Sequence, residues 1–380
     1  MTPFGDLTFF FYLSVVSLPA VALGLAGRPI RGYGLCVSLV TVGLVLSHSR
    51  RQLVLAVAFL IGQFLLARAH LWFIGRHGRG VSWERRSAVV AALAPLALAK
   101  LSGIVEFTNL GFLGVSYLTF RAVQVILEIS DGLISEVRPL RYLYFMSFFP
   151  VLSAGPIDRS RRFDQDAEHP PAPAAYARLL GQGLWYLVLG AGYKFGAGAW
   201  CAYALRGDGP AGGWVGYMYV YGLQLFFDFG GYSLMAVGAS YVFGIRTPMN
   251  FRAPFVAESI KDFWNRWHIT LSFWLRDYLF SRLTMALIRR KVFADRATSA
   301  RVGFVVNMTT MGLWHGTSPQ YLWYGAYHGV LMVINDVWER RSGIHRRFRR
   351  AWWYRLASVA VTLHAVLFGF YIFSGRLTGH

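Results

Sequence analysis

Charge and cysteine are both scarce in this 380-residue chain, and each scarcity excludes a class of protein. Charged residues make up 15% of the sequence, whereas a soluble globular domain carries about 25%. The two cysteines, Cys36 and Cys201, lie among apolar residues, which fits neither a disulfide framework nor a zinc site. A glycine-rich phosphate loop, a Ser-His-Asp order and a CxxC pair are also missing. We therefore predict no metal site, and we disfavour nucleotide-binding and hydrolase functions.

Long runs without charge dominate the sequence, of which 55% is hydrophobic. Several of these runs approach the ~20 residues that a helix needs to cross a bilayer. Strand-like alternation is scarce, so the pattern predicts an all-α, polytopic protein that crosses a membrane many times. The runs are Leu7–Gly27, Leu53–Ala67, Ala88–Ala99, Gly212–Phe227 and Leu356–Ser374.

Positive charge far exceeds negative charge, with 38 basic and 18 acidic side chains and a net charge of +20. In a soluble protein this excess would suggest nucleic acid. Here the arginines cluster between the apolar runs, as the positive-inside rule expects of cytosolic loops. We therefore expect contact with anionic membrane lipids and no nucleic-acid partner.

The chain shows no internal repeat and no second domain. We predict one membrane-embedded domain over 1–380, with N-terminal helices in 1–112, a core that contains the histidine-bearing stretches described next in 113–338, and a basic cytosolic segment followed by the last transmembrane helix in 339–380. The stretch "DQDAEHPPAPAA", residues 164–175, combines acids with prolines. Its composition predicts a loop or linker.

The stretch "SIKDFWNRWHITLSFWLRDYLFSRL", residues 259–283, has a polar side although it is rich in aromatic residues. Only Trp267–Leu275 is free of charge, about 14 Å as a helix, which is too short to span lipid. A helix so divided should lie at an interface or line a polar cavity. On a helical wheel one narrow arc contains Asn265, His268, Ser272 and Arg276, and a different arc contains Trp264, Trp267, Leu271 and Trp274.

The stretch "MGLWHGTSPQYLWYGAYHG", residues 311–329, lies in a charge-free run from Val302 to Asn335. The run is too long for one helix, is broken at "HGTSPQ", and has basic residues on both sides. If both sides are cytosolic, the run forms a re-entrant hairpin with arms of about 13 residues, or ~20 Å, shorter than the ~30 Å bilayer core. His315 would then be a partly desolvated side chain at a buried break.

A histidine in such a position suits general-base chemistry, because a desolvated neutral ring can accept a proton from a hydroxyl. The alternative is a structural histidine with satisfied hydrogen bonds, and the residues alone favour it slightly. His268 has the same two interpretations, as a second acid or base or as a bonded side chain of the polar arc. Arg266 and Arg276 either orient a substrate or form ion pairs within the helices.

Together, "WNRWH" at Trp264–His268 and "WHG" at Trp314–Gly316 resemble the membrane-bound O-acyltransferase family. The resemblance implies a ring of transmembrane helices around a thinned centre, with a funnel leading to a buried histidine and with re-entrant segments. It assigns the catalytic role to His315 and a second position in the tunnel to His268. It also implies a set of tunnel-lining or substrate-orienting residues, namely Trp264, Asn265, Arg266, Ser272, Arg276, Trp314 and Gly316.

Further stretches, such as "SFFPVLSAGPIDRSRRF" at 147–163, are similar to the branch of this family that transfers D-alanine. This likeness implies a bacterial plasma or inner membrane and no tightly bound cofactor. It also implies an acyl donor, D-alanine carried as a thioester on the 4'-phosphopantetheine of a small acidic carrier protein. Other proteins of the same system and a cell-envelope polymer such as lipoteichoic acid are the remaining partners implied. We expect the carrier to dock on a basic, partly apolar loop containing Arg289, Arg290, Lys291, Val292 and Phe293.

Two other functions remain open at this point. One is acetyl transfer to an exported polysaccharide, within the same enzyme class. The other is a transporter or conduit without chemistry of its own, in which the polar arc of residues 262–277 lines a path. The paired broken helices typical of transporters are not evident in the sequence.

Overall fold

The computed structural model describes residues 1–78, 82–102, 110–206 and 212–377, and within these ranges the chain is helical and contains no strand. The all-α prediction is therefore confirmed. The helices are α1 Leu7–Leu25, α2 Arg31–Leu46, α3 Arg50–His77, α4 Ser82–Ser102, α5 Val115–Ser130, α6 Pro139–Ser147, α7 Ser160–Glu168, α8 Pro173–Ala191, α9 Ala199–Ala204, α10 Gly213–Val242, α11 Ile260–Trp264, α12 Ile269–Leu275, α13 Ser281–Arg289, α14 Arg296–His315, α15 Pro319–Arg341, α16 Gly343–Phe348 and α17 Trp352–Phe373. Short 3-10 helices cover Phe149–Val151 and Pro254–Val256, and π-helical segments cover Gly192–Gly198 and Arg276–Phe280.

Three of the described helices, α1, α3 and α17, are long and apolar enough to cross a membrane. At α1 the carboxylate of Asp6 caps the helix by accepting a hydrogen bond from the Phe9 N–H at 2.7 Å. The same helix exposes large apolar side chains, including Leu7, Phe11 and Leu18, as expected of a surface that faces lipid. The chain is therefore a multi-pass membrane protein, as predicted.

Contacts divide the chain into two compact units. The first unit contains residues 1–191 and 232–248, and the second contains residues 192–231 and 249–380. The single embedded domain with its three sequence-defined parts remains a prediction, as does the ring of helices around a thinned centre.

Helix α5 forms the centre of the first unit, since every residue from Tyr117 to Ile129 is buried. It includes Arg121, whose side chain donates hydrogen bonds to the carbonyl oxygens of Phe145 at 3.0 Å and Val151 at 2.8 Å. Those carbonyls lie where α6 gives way to a 3-10 turn and lack a helical partner. The buried guanidinium therefore ties an irregular segment to the core.

The predicted loop at 164–175 is wrong for most of its length. Helix α7 continues to Glu168, and α8 begins at Pro173. Asp166, one of the acids that suggested a solvated loop, is instead buried and paired, because it accepts hydrogen bonds from Arg162 at 2.7 Å and from the Arg246 N–H at 2.8 Å. Pro173 occupies the first helical position, where a missing N–H costs nothing.

In the second unit, α14 and α15 form the predicted helical hairpin, joined by residues 316–318. Small residues allow the two backbones to approach closely. A Cβ added to Gly325 would lie 2.6 Å from the Met308 carbonyl oxygen, and one added to Gly329 would lie 2.9 Å from the Val305 Cα. The predicted hairpin and its break are confirmed, whereas its re-entrant topology, with both ends cytosolic and the break inside the membrane, remains a prediction.

The predicted length of the hairpin arms is wrong. Helices α14 and α15 have 20 and 23 residues, about 30 and 35 Å, because each continues past the charge-free run. Charges near the open end are paired: buried Asp336 accepts hydrogen bonds from Lys261 at 3.2 Å, Arg301 at 3.1 Å and Arg340 at 3.0 Å. Pairing lets the helices continue through residues that the sequence suggested as their limits.

Candidate active site

The stretch at residues 259–283 does not form the single helix that the polar arc assumed. Helix α11 ends at Trp264, the chain turns through residues 265–268, and α12 begins at Ile269. His268 has a left-handed backbone conformation, with φ 45° and ψ 49°. Asn250 secures the turn, since its carbonyl oxygen accepts from the Ile269 N–H at 2.9 Å and its side chain accepts from the Thr270 hydroxyl at 2.6 Å. The helical-wheel prediction therefore fails because it carried one helical register across a break.

The turn places the His268 side chain inside the second unit. Its ring is buried and lies 4.8 Å from the ring of Phe229 on α10 and 6.2 Å from the ring of Trp314 on α14. Its Nε2 has no hydrogen-bond partner among the described residues. A buried ring nitrogen without a protein partner is a candidate site for a hydroxyl of a substrate or for a water molecule.

His315 is the last residue of α14 and lies directly at the break of the hairpin. Aromatic rings surround it, with ring centres 5.0 Å away at Phe373, 6.3 Å at Tyr324 and 6.4 Å at Tyr321. The residue is nevertheless exposed, so the predicted burial is wrong. The helix ends at His315, and the following residues turn away toward α15, so the ring is not covered by a further helical turn.

Trp314 connects the two histidines. Its ring lies 4.7 Å from that of His315 and 6.2 Å from that of His268. The two imidazoles are also close enough to interact electrostatically. The structure therefore brings together His268, Trp314 and His315, which the sequence places on two separate motifs.

Gly316 is needed in this arrangement because a larger side chain would not fit, and not because of its backbone conformation. Its φ of −174° is ordinary extended backbone. A Cβ at this position would collide with the ring of Tyr321, which is one of the rings around His315. The glycine after the histidine therefore leaves room for the aromatic wall.

The remaining predicted tunnel residues are placed elsewhere. Trp264 is buried and packs its ring 5.2 Å from that of His328. The others show local pairings or a surface position, and their part in a tunnel remains a prediction. Asn265 is exposed, Arg266 pairs with Asp262 at 2.8 Å, the Ser272 hydroxyl donates to the Trp267 carbonyl oxygen at 3.2 Å, and Arg276 pairs with Asp277 at 3.0 Å.

The predicted docking residues form the connection between α13 and α14. Arg289, Arg290, Lys291 and Val292 are exposed, while Phe293 is half-buried. Lys291 turns the chain with a φ of 51°. The loop thus presents cationic side chains beside an exposed apolar one, although its role in docking remains a prediction.

Sequence reasoning missed the contribution of α10 and its ion pair. Tyr221 on α10 lies within electrostatic range of Tyr321 and Tyr324. Two turns further along α10, Asp228 forms an ion pair with Lys194 of the π-helical segment. The available signal was that Asp228 and Lys194 are each the single charged residue in a long apolar stretch, 209–245 and 179–205 respectively.

Comparison with known protein families shows to which class of protein the chain belongs. The model of the family described as MBOAT, membrane-bound O-acyltransferase family, matches residues 211–373. In addition, the whole chain is similar to the full length of a protein named as an acyl-group transferase. The chain belongs to the membrane-bound O-acyltransferase family, and it is therefore an acyltransferase.

Individual relatives narrow the comparison. A protein named teichoic acid D-alanyltransferase from Bacillus subtilis (strain 168) is 39% identical, with 100% of both chains covered. A protein of the same name from Streptococcus thermophilus is 36% identical over 99% of this chain and 96% of its own length. The probable alginate O-acetylase AlgI of Pseudomonas syringae pv. tomato is 32% identical over 70% of this chain and 51% of its own.

Proposed function

We propose that this protein transfers D-alanine from a carrier-protein thioester to a hydroxyl group of a cell-envelope polymer such as teichoic acid, with His315 as general base. The acceptor oxygen attacks the thioester carbonyl carbon as His315 takes the hydroxyl proton. The C–S bond then breaks, and the proton passes to the departing sulfur. The products are a D-alanyl ester and the free thiol of the phosphopantetheine arm.

The accessible position of His315 at the hairpin break is the observation that carries this proposal. A general base must reach the proton that it removes, and His315 is exposed although aromatic rings surround it. His268 lies close by with an unpaired Nε2, and we assign it to orienting the acceptor hydroxyl. The D-alanyltransferase names of the full-length relatives support the choice of acyl group.

The proposed donor is the one that the family resemblance implies, and the charge of the α13–α14 loop supports it. A thioester on a phosphopantetheine arm is delivered by a small acidic carrier protein. Arg289, Arg290 and Lys291 provide the complementary charge, while Val292 and Phe293 provide apolar contacts. Complementary charge accelerates association, and apolar anchors hold the complex.

Replacement of the base in reconstituted vesicles tests the proposal. The His315→Ala variant should lose about 10²–10⁴-fold in D-alanyl transfer, measured as ester formation on the acceptor polymer from D-alanyl carrier. Carrier binding should persist, because the base is not part of the docking loop. His48→Ala is the matched control, since His48 is an exposed histidine of the first unit, and it should retain full activity.

Each competing function predicts a different result. A conduit without its own chemistry would retain most activity in the His315→Ala variant. Acetyl transfer is the second candidate because the chain is 32% identical to a probable alginate O-acetylase. An acetyltransferase would form product from an acetyl donor and none from D-alanyl carrier. Either result would overturn D-alanyl transfer by this chain.

A further inference from the structure

The ion pair between Lys194 and Asp228 is unusual because both residues lie in otherwise charge-free stretches. Asp228 is the only charged residue in 209–245, and Lys194 is the only one in 179–205. Charges in apolar surroundings are costly, and a partly exposed ion pair contributes only about 0–1 kcal/mol to stability. Structural stability therefore does not explain why this pair is present.

The local backbone is built to bring the two charges together. Lys194 lies in the π-helical segment Gly192–Gly198, and such segments are rare and frequently occur at functional sites. A Cβ at Gly198 would lie in ordinary van der Waals contact with Asp228, 3.4 Å from its nitrogen and 3.6 Å from its Cα, so the segment packs directly against α10 at Asp228. The ammonium of Lys194 pairs with Oδ1 of Asp228.

The carboxylate remains accessible despite this partner. The side chain of Asp228 is 48% exposed, whereas that of Lys194 is 21% exposed. Lysine therefore fixes the carboxylate while much of its surface stays open to a second cation. A pair that served only to neutralise two charges would not need this accessibility.

The position of Asp228 relates it to both histidines. The next residue, Phe229, is rotated about 100° from Asp228 around the helix, and its ring packs 4.8 Å from the His268 ring, so His268 lies against the adjoining face of α10. Tyr221, seven residues earlier, lies on the same face of α10 about 10 Å away, and it interacts with Tyr321 and Tyr324 beside His315. Asp228 therefore shares the face of α10 that carries Tyr221 and adjoins the face that contacts His268.

We propose that Asp228, held by Lys194, binds the ammonium group of an aminoacyl substrate and so selects D-alanyl over acyl groups without an amine. This inference rests on the proposed function and adds a specificity residue to it. An ammonium entering an apolar region loses its hydration, and an anchored carboxylate compensates for that loss. An acetyl or propionyl group brings no charge and gains nothing from Asp228.

Two carrier-bound substrates that differ only in the amine test the inference. Propionyl carrier is the analogue of D-alanyl carrier in which hydrogen replaces the amino group. The wild type should prefer D-alanyl by about 10–100-fold in kcat/KM, as expected for a hydrogen bond to a charged group. In Asp228→Asn, D-alanyl transfer should fall to near the propionyl level while propionyl transfer is unchanged, and Asp228→Glu should recover part of the preference.

Further variants separate specificity from stability. Lys194→Met/Asp228→Asn neutralises both partners and leaves no unpaired charge, so it tests the same loss of preference if the single variant folds poorly. Glu136→Gln is the matched control, because Glu136 forms an exposed pair with Arg138 at 2.8 Å in the first unit. Its D-alanyl preference should equal that of the wild type.

The outcomes distinguish this inference from the proposed function. Equal use of the two substrates by the wild type, or equal loss of both in the folded Asp228→Asn variant, would overturn the specificity role and leave acyl transfer intact. Failure of the wild type to transfer D-alanine at all would overturn the proposed function itself. Loss of D-alanyl preference with retained propionyl transfer supports both.

Discussion

His268 shows how one residue's backbone conformation positions a ring. A left-handed conformation costs a non-glycine residue about 1–2 kcal/mol, and His268 adopts it with φ 45°. The hydrogen bonds from Ile269 and Thr270 to Asn250 over-determine the turn and offset that cost. As a result the imidazole points toward Phe229 and Trp314, a direction that a helical residue at this position would not take.

At the scale of single residues, we predict that Gly316→Ala impairs transfer through Tyr321. The new methyl group would collide with the Tyr321 ring and displace the wall around His315, with an overpacking cost of about 1–3 kcal/mol. We expect at least about a tenfold loss of kcat, measured with D-alanyl carrier in vesicles.

A double-mutant cycle identifies the cause. Tyr321→Ala removes the obstacle, so Gly316→Ala should cost much less in that background, with a coupling of about 0.5–3 kcal/mol. Strictly additive effects would show that Gly316 acts through something other than the Tyr321 ring.

At the scale of elements, the α14–α15 hairpin depends on close backbone contact. Gly312, Gly325 and Gly329 each face the opposite helix, and small residues of this kind are the usual means by which helices approach in membranes. The hairpin carries His315 at its break, so its packing sets the position of the base.

Gly325→Ala should therefore destabilise the protein. Its Cβ would lie 2.6 Å from a backbone oxygen, which cannot move aside as a flexible side chain does, and we expect a loss of about 1–3 kcal/mol. Thermal unfolding in detergent measures the effect as a lower Tm.

Gly62→Ala in α3 provides the comparison, since nothing lies within 4 Å of the added methyl group. Its Tm should stay the same or rise slightly, because alanine favours helix over glycine. A similar fall in Tm for both variants would argue against a specific contact between α14 and α15.

At the scale of the whole molecule, the net charge of +20 favours association with any acidic partner. Specificity for one partner therefore depends on where the basic side chains lie and on which apolar side chains lie beside them. The exposed α13–α14 loop offers charge together with Val292 and Phe293. Helix α16 offers exposed arginines in another part of the chain. The two clusters provide a matched comparison.

Charge reversal in the loop should weaken use of the carrier without altering the chemical step. We expect Arg289→Glu/Arg290→Glu to raise KM for D-alanyl carrier about tenfold or more at low ionic strength, with kcat unchanged. The difference from wild type should shrink at about 0.5 M salt, where screening is strong. Initial rates across carrier concentrations give both constants.

Arg346→Glu/Arg347→Glu in α16 changes the net charge by the same amount and should leave KM close to the wild-type value. If both pairs raise KM equally, the carrier responds to total charge, and the α13–α14 loop is not its docking site.

The sequence predicted part of the site correctly for local reasons. The break at "HGTSPQ" between two apolar runs indicated the hairpin and placed His315 at its end, since a cluster of glycine, threonine, serine and proline between two apolar segments is a local turn signal. The prediction at residues 259–283 failed because the break there has no proline or glycine. Asn250, outside that stretch, stabilises the turn at His268, and no helical wheel includes it.

By itself, the sequence determined that this is an all-helical membrane protein with paired histidine motifs, because apolar run length and charge distribution act locally along the chain. Only the tertiary structure decided which residues share the site. It placed Trp314 between His268 and His315, exposed the His315 ring, and paired Lys194 with Asp228. Those outcomes depend on close approach of backbones at glycines and on contacts between distant segments, and the pattern of neighbouring residues does not contain them.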